Sequence, residues 1–190
     1  RKKEGDDWLI EKIVDKAGNK GTGNWATISS AELGVPSTLI TSALFSRYIS
    51  FYKEERTQLH TYFETINTAE LNITINEVLE AYQFARIINH YQGFKLIVEA
   101  SNKFNWNLNL SEIARIWTNG CIIRSSLMEN LVEVFKGTTN ILTNSQFIDL
   151  INQYKPAAKK VVSQCVFNDI TTPALGEAIQ FLNGITTPYA

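Results

Sequence analysis

Between Thr74 and Asn102 the chain meets no proline and a single glycine, Gly93, and Thr74-Ile-Asn-Glu77 stands at the head of that run. The tetrapeptide has the form of a capping box, in which the threonine hydroxyl takes the N–H three residues on and the glutamate reaches back to the threonine N–H. A helix of roughly 30 residues is about 45 Å long, so the other elements must be arranged around it. Its apolar residues do not form one stripe. Val78, Leu79, Tyr82, Ala85, Ile88, Tyr91 and Leu96 are joined on other faces by Phe84, Ile87, Phe94, Ile97 and Val98, the pattern of a helix surrounded by its own domain or by a second subunit. His90 lies within it and is expected to be a hydrogen-bonded packing residue.

The rest of the chain reads as helix too. Asp6 or Asp7 is expected to cap a short helix through Val14, with Trp8, Leu9, Ile13 and Val14 inward. A short helix from Trp25 ends at Gly34-Val35-Pro36, and Pro36 opens the next, along which Leu39, Ile40, Ala43, Leu44 and Tyr48 form an apolar stripe. Lys53-Glu-Glu-Arg-Thr-Gln-Leu-His60 follows as a mixed-charge run, expected to be a solvated face. Asn109-Leu-Ser-Glu112 is a second capping box, opening a helix that Gly120 stops. Cys121 to Arg124 is expected to begin another helix, with Arg124 in an ion pair that holds helices together. Two amphipathic helices lie either side of Pro156, and Pro173 starts the last, with Leu175, Ala178, Ile179 and Leu182 inward. No alternating strand pattern of useful length is present, so the expected fold is all-α: one multi-helix domain over 1–190 with no sheet.

Composition narrows the function classes. At 190 residues and 44% hydrophobic content the chain can bury one sizeable core. A net charge of −1 offers no general attraction to nucleic acid or anionic lipid, so any anion site must be local. There is no run of about 20 apolar residues that would span a bilayer and no signal-peptide pattern, which favours a cytoplasmic protein. The sequons at Asn72 and Asn109 read better as helix starts. Cys121 and Cys165 have no metal-type spacing and make no disulfide framework, so both are expected reduced, and no metal site is expected, His60 included.

Chemistry concentrates between Ala17 and Arg47. Gly18, Gly21 and Gly23 alternate with Asn19, Lys20, Thr22 and Asn24, so the backbone can take positive φ and approach a ligand closely. Lys20 brings an ammonium, Thr22 a hydroxyl, and the following helix start a set of N–H donors suited to a phosphate or carboxylate. Arg47, on the next helix, could fork onto phosphate oxygens. Two patterns fail. Gly21-Thr-Gly-Asn-Trp-Ala26 fits the G-x-G-x-x-A dinucleotide fingerprint, but no strand pattern leads into it, and Lys20 sits on the wrong side of the glycines for a Walker loop. Taken alone, the segment describes a surface helix connection with a solvated lysine equally well.

Resemblance separates the two. Asp15-Lys-Ala-Gly-Asn-Lys-Gly-Thr-Gly-Asn-Trp-Ala26 followed by Phe45-Ser-Arg-Tyr-Ile-Ser50 resembles the substrate-domain signature of decarboxylating 6-phosphogluconate dehydrogenases. Tyr91-Gln-Gly-Phe94, Trp106-Asn-Leu-Asn109, Glu112-Ile-Ala-Arg-Ile-Trp117 and Gly120-Cys-Ile-Ile-Arg-Ser125 repeat that family's order at similar spacing. The resemblance implies the helical substrate and dimerisation domain of an enzyme that oxidises 6-phosphogluconate with NADP and decarboxylates the product to ribulose 5-phosphate. It implies a homodimer, and it assigns Lys20, Thr22 and Arg47 to the substrate phosphate. It also implies that the lysine base and glutamate acid lie on an upstream segment with the nucleotide-binding domain, and that a downstream tail completes the neighbouring subunit's site. On that expectation the 190 residues are a fragment, inactive alone, carrying no catalytic residue. NADP-or-NAD preference lies outside them. The rival readings are a non-catalytic helical interaction module and a domain of a related β-hydroxyacid dehydrogenase.

Overall fold

A computed structural model describes residues 2–63 and 71–189. Eight α-helices are found there: α1 (Thr22–Leu33), α2 (Thr38–Phe51), α3 (Lys53–Leu59), α4 (Ile75–Phe104), α5 (Leu110–Trp117), α6 (Ser126–Val134), α7 (Ser145–Phe167) and α8 (Pro173–Thr186). The long helix forms as its sequence requires. Thr74 Oγ1 accepts the Glu77 N–H at 3.1 Å and Glu77 Oε2 accepts the Thr74 N–H at 2.7 Å. Glu77 Oε1 also takes Lys160 Nζ of α7 at 2.6 Å, so one carboxylate caps α4 and ties it to α7. That lysine and the Thr74 N–H together lower the Glu77 pKa.

The helix α4 is the axis of the domain, with α7, α8, α1 and α2 all packed on it. Ala81, Phe84, Ile88 and Gln92, spaced to share one face, have no solvent exposure. Phe94 stacks at a tilt on Phe135 and Trp117, bringing α5 and the end of α6 to the far part of α4. The burial is uneven along the helix. Val78, Leu79 and Tyr82, expected inward, are 44%, 52% and 54% exposed, so the first turns of α4 leave one face uncovered. His90 fits its expectation: Nδ1 lies 2.7 Å from the Arg86 carbonyl oxygen, and burial lowers its pKa.

The expected elements need correction in several places. The first segment is not helical, and the expectation of no sheet fails there, since it holds a two-stranded one. Lys3–Glu4 (β1) pairs antiparallel with Asp7–Trp8 (β2) around a turn at Gly5, whose φ of 66° suits a residue without a Cβ, and a 3-10 turn follows over Leu9–Lys12. A Gly-Asp pair between short extended runs is a hairpin signal, and here it outweighs the aspartate cap. Ile13 and Val14, expected inward, are 65% and 72% exposed. Second, α2 begins at Thr38, because Gly34 in the left-handed region (φ 65°) and Pro36 are spent on closing α1, with Val35 N donating to Ser30 O at 2.9 Å. Third, α7 runs through Pro156 as one helix. The proline removes the donor that would meet the Asn152 carbonyl, and both residues are exposed, so water can take that acceptor. Fourth, Cys121 to Arg124 is a turn. The helix α6 starts at Ser126, capped by Ser125 Oγ, and Arg124 is exposed with no ion pair among the described residues.

The second capping box is half made. Asn109 Oδ1 accepts the Glu112 N–H at 3.2 Å, while Glu112 Oε2 turns to Arg115 Nε at 2.7 Å. Pro173 does open α8, with Ala178, Ile179 and Leu182 buried. Both cysteines are free thiols. No helix among the described residues is long and apolar enough to cross a membrane.

Because the Thr74 hydroxyl closes the first turn of the axial helix, Thr74→Ala should cost about 1 kcal/mol. The shift in urea midpoint at unchanged m-value measures it.

Candidate functional site

The segment Asp15–Gly21 has no regular structure, yet side chains from α2 and α3 hold most of it. Asp15 is gripped at its head. Lys53 Nζ lies 2.9 Å and Arg56 Nη2 3.1 Å from its carboxylate oxygens, and these two hydrogen bonds lower its pKa to about 2. Lys53 and Arg56 are therefore partners of the loop, where a solvated face was expected. One turn earlier on α2, Ser50 Oγ accepts the Ala17 N–H at 3.0 Å.

Arg47 is brought directly onto the loop. Its Nη1 donates to the Gly18 carbonyl oxygen at 2.5 Å, leaving the other guanidinium donors available. Its neighbour Tyr48 accepts from Asn19 Nδ2 at 3.0 Å, and Asn19 Oδ1 accepts the Gly21 N–H at 2.9 Å. That last bond is an Asx turn. It shapes the backbone on either side of Lys20 and leads into Gly21, whose φ of 96° is a conformation an L side chain rarely takes. Lys20 itself is exposed and has no ion pair or hydrogen bond among the described residues.

The helix α1 then begins at Thr22, three residues earlier than the expected start, so Thr22 and Gly23 belong to its first turn. Gly21 is its N-cap and no side chain caps it. The N–H groups of Thr22, Gly23 and Asn24 have no acceptor within the helix, which makes this end receptive to an anion. Gly23 permits a close approach, since a Cβ there would meet Leu44 Cδ1 of α2 at 3.3 Å. Lys20, Thr22 and Arg47 are thus all on or against one short loop, and each is exposed.

Two roomy depressions lie elsewhere. A groove of about 820 Å³ runs between α1, α2 and the start of α8, past Thr27, Val35, Pro36, Phe45, Ile49 and Pro173. A second, of about 870 Å³, continues from Ile49 and Pro173 to Val162, Val166 and Ile170. Both are mainly apolar and neither includes Lys20, Thr22 or Arg47. No described group of His, Cys, Asp and Glu is arranged to hold a metal. The strands of 3–4 and 7–8 do not lead into the glycines, so Gly21-Thr-Gly-Asn-Trp-Ala26 is not the turn of a βαβ dinucleotide fingerprint.

With this geometry in view, the whole chain, residues 1–190, matches the family described as "6-phosphogluconate dehydrogenase, C-terminal domain". The chain belongs to this family. It is 38% identical over 184 residues to the decarboxylating 6-phosphogluconate dehydrogenase of Lactococcus lactis strain IL1403, covering 94% of this chain and 39% of the relative. The Haemophilus influenzae enzyme of the same description is 36% identical over 185 residues, 94% of this chain and 38% of the relative. Among solved structures, Plasmodium falciparum 6-phosphogluconate dehydrogenase, whose description covers its apo form and its complexes with NADP+ and 6-phosphogluconate, superposes with a TM-score of 0.90 at 30% identity. That match covers 97% of this chain and 41% of that one. The chain therefore spans about two fifths of the length of these relatives.

Sequence reasoning missed the supports of the loop. Asn19 two residues before Gly21 carried a turn signal. The partners Tyr48, Ser50, Lys53 and Arg56 sit 29 to 41 residues from the atoms they hold and left no local trace.

The Asp15 clamp has a pH sign. Its pKa is lowered by folding, so the anchoring is present above the ordinary carboxylate range and is lost as pH falls toward about 2. Following the Asp15 carboxyl and the Ala17 amide by NMR should show them release together over that acid range. Asp15→Asn should speed exchange of the Ala17 amide already at neutral pH, with little change in global stability because the pair is exposed.

Proposed function

We propose that this chain is the substrate-binding and dimerisation domain of an NADP-dependent enzyme that oxidatively decarboxylates 6-phosphogluconate to ribulose 5-phosphate. In this reading Lys20, Thr22 and Arg47 receive the phosphate end of the substrate, and no residue of the chain is a catalytic acid or base. The observation that carries it is the Arg47 contact with Gly18, which seats a guanidinium with spare donors on the glycine loop, three residues before the uncapped N-cap of α1 at Gly21. Cationic side chains and helix N–H groups are the donors a phosphate dianion takes. Anchoring a charged group remote from the reacting carbon turns binding energy into orientation. When bound, NADP supplies the hydride acceptor; its main site is proposed to lie on a separate domain of the same enzyme.

The relatives' names and the family match support the reaction. The uncovered apolar faces on the first turns of α4 and along α2, where Phe45 and Ile49 are 52% and 57% exposed, support a second copy of the chain as the partner. The same apolar grooves favour the other reading, an all-helical interaction module that binds no sugar phosphate. Lys20 and Arg47 separate the two.

In the full-length enzyme, Arg47→Ala should raise KM for 6-phosphogluconate about tenfold to a hundredfold, the usual worth of a charge-assisted hydrogen bond. The change in kcat should be much smaller. An unchanged KM would leave the interaction module as the better account. The 190 residues alone should show no NADP-dependent turnover, and a rate above background in a direct absorbance assay would overturn the proposed division of labour.

A further inference from the structure

Gln92 is the most deeply buried polar side chain among the described residues, with 0% exposure in the middle of α4. It sits on the dry face formed by Ala81, Phe84 and Ile88, where leucine or methionine would fill the same space with no polar group to satisfy. What the carboxamide adds is direction. Its Oε1 accepts the Leu39 N–H at 3.0 Å and its Nε2 donates to Thr38 Oγ1 at 3.1 Å.

Those two atoms belong to the first turn of α2, and that turn has no cap of its own. Ser37 occupies the N-cap position but its hydroxyl is bonded to Ser30 and makes no cap hydrogen bond. An orphan donor at the start of α2 is therefore met from α4, 53 residues away in sequence. Bonds to two successive residues fix how far α2 slides along α4 and how it is rotated about its own axis. Arg47 lies eight residues further on, about 12 Å along the same rigid helix, so an error in rotation at Thr38 is carried to the guanidinium. Tyr48 and Ser50, which hold Asn19 and the Ala17 N–H, would turn with it.

We infer that Gln92 is a positioning residue for the phosphate subsite, setting through α2 where Arg47 and the glycine loop stand. The inference rests on the proposed role of Arg47. It requires that loss of the carboxamide weaken substrate binding from the core, without contact to substrate.

The test uses the full-length enzyme and four variants measured together: Gln92→Leu, Thr38→Val, Thr38→Ser and Ile141→Val. Gln92→Leu removes both bonds and should raise KM for 6-phosphogluconate about threefold to tenfold, the range of one or two neutral hydrogen bonds. The inhibition constant of inorganic phosphate should rise in proportion, with kcat within about twofold of the parent. Thr38→Val removes one bond at a partly exposed residue and should give a smaller rise, which Thr38→Ser, retaining the hydroxyl, should abolish. Ile141→Val trims a buried side chain in a segment packed on α7, lowering the melting temperature, and should leave KM alone. An unchanged KM in folded Gln92→Leu overturns the inference, as does an equal rise in Ile141→Val. If Gln92→Leu does not fold, the Thr38 pair decides: equal KM values for Val and Ser overturn it. Arg47→Ala run alongside keeps the two ideas apart. A raised KM there with none in Gln92→Leu sinks only the positioning role, whereas no rise in Arg47→Ala sinks the phosphate subsite itself.

Discussion

The dry face of α4 is the constraint from which the remainder follows. Ala81, Phe84, Ile88 and Gln92 are shut off from solvent because α7, α8 and the pair α1 and α2 close over them. Burial of large side chains supplies most of the driving force in such a domain, since each is worth about 1.5–3 kcal/mol. Direction comes from a few polar contacts set into that apolar surface. Glu77 reaches Lys160 at one end of the face, and Gln92 reaches Thr38 and Leu39 at the other. The first locks α7 to the axis, and the second locks α2, so the helices that cover the core are also held in register.

The candidate site is a by-product of the second lock. Helix α2 shows one side to the core through Leu39 and Leu44 and another to the loop through Arg47, Tyr48 and Ser50. A loop of glycines and asparagines would have little shape of its own. Its form is set by the Asx turn at Asn19, by the left-handed Gly21, and by the side chains laid on it from the neighbouring helix. Lys20, between two restrained residues, has no partner for its ammonium among the described residues. The arrangement separates duties: the residues that shape the loop are spent on one another, and those assigned to the ligand are left open.

What the sequence revealed divides along the range of the interactions involved. The long helix, its capping box, the glycine that ends α1 and the proline that opens α8 are all decided within a few residues, and each was legible. The opening hairpin was not read, because two aspartates that could cap a helix outweighed the Gly5-Asp6 turn signal. Pro156 misled because its cost depends on whether the Asn152 carbonyl can reach water, which is a fact of the surface. Arg124 misled for the opposite reason: apolar neighbours in sequence suggested burial, but they belong to a turn whose Ile122 is 100% exposed. At the site, Lys20, Thr22 and Arg47 could be named from residue type, spacing and family resemblance. The residues that hold them, Asn19 excepted, could not, because Asp15 with Arg56, Ala17 with Ser50 and Gln92 with Leu39 are contacts between distant parts of the chain.

No described residue before Ser30 is buried, so the hairpin and the loop behind it contribute almost nothing to the core. The loop behind the hairpin is fastened at Asp15 through one carboxylate between an exposed lysine and a half-buried arginine. Attractions of that kind fade over a screening distance of about 8 Å in physiological salt and less in stronger brine. Ionic strength therefore acts on the first part of the molecule as a selective solvent: concentrated electrolyte slackens the strap while the helical body, held by dispersion and water exclusion, keeps its form.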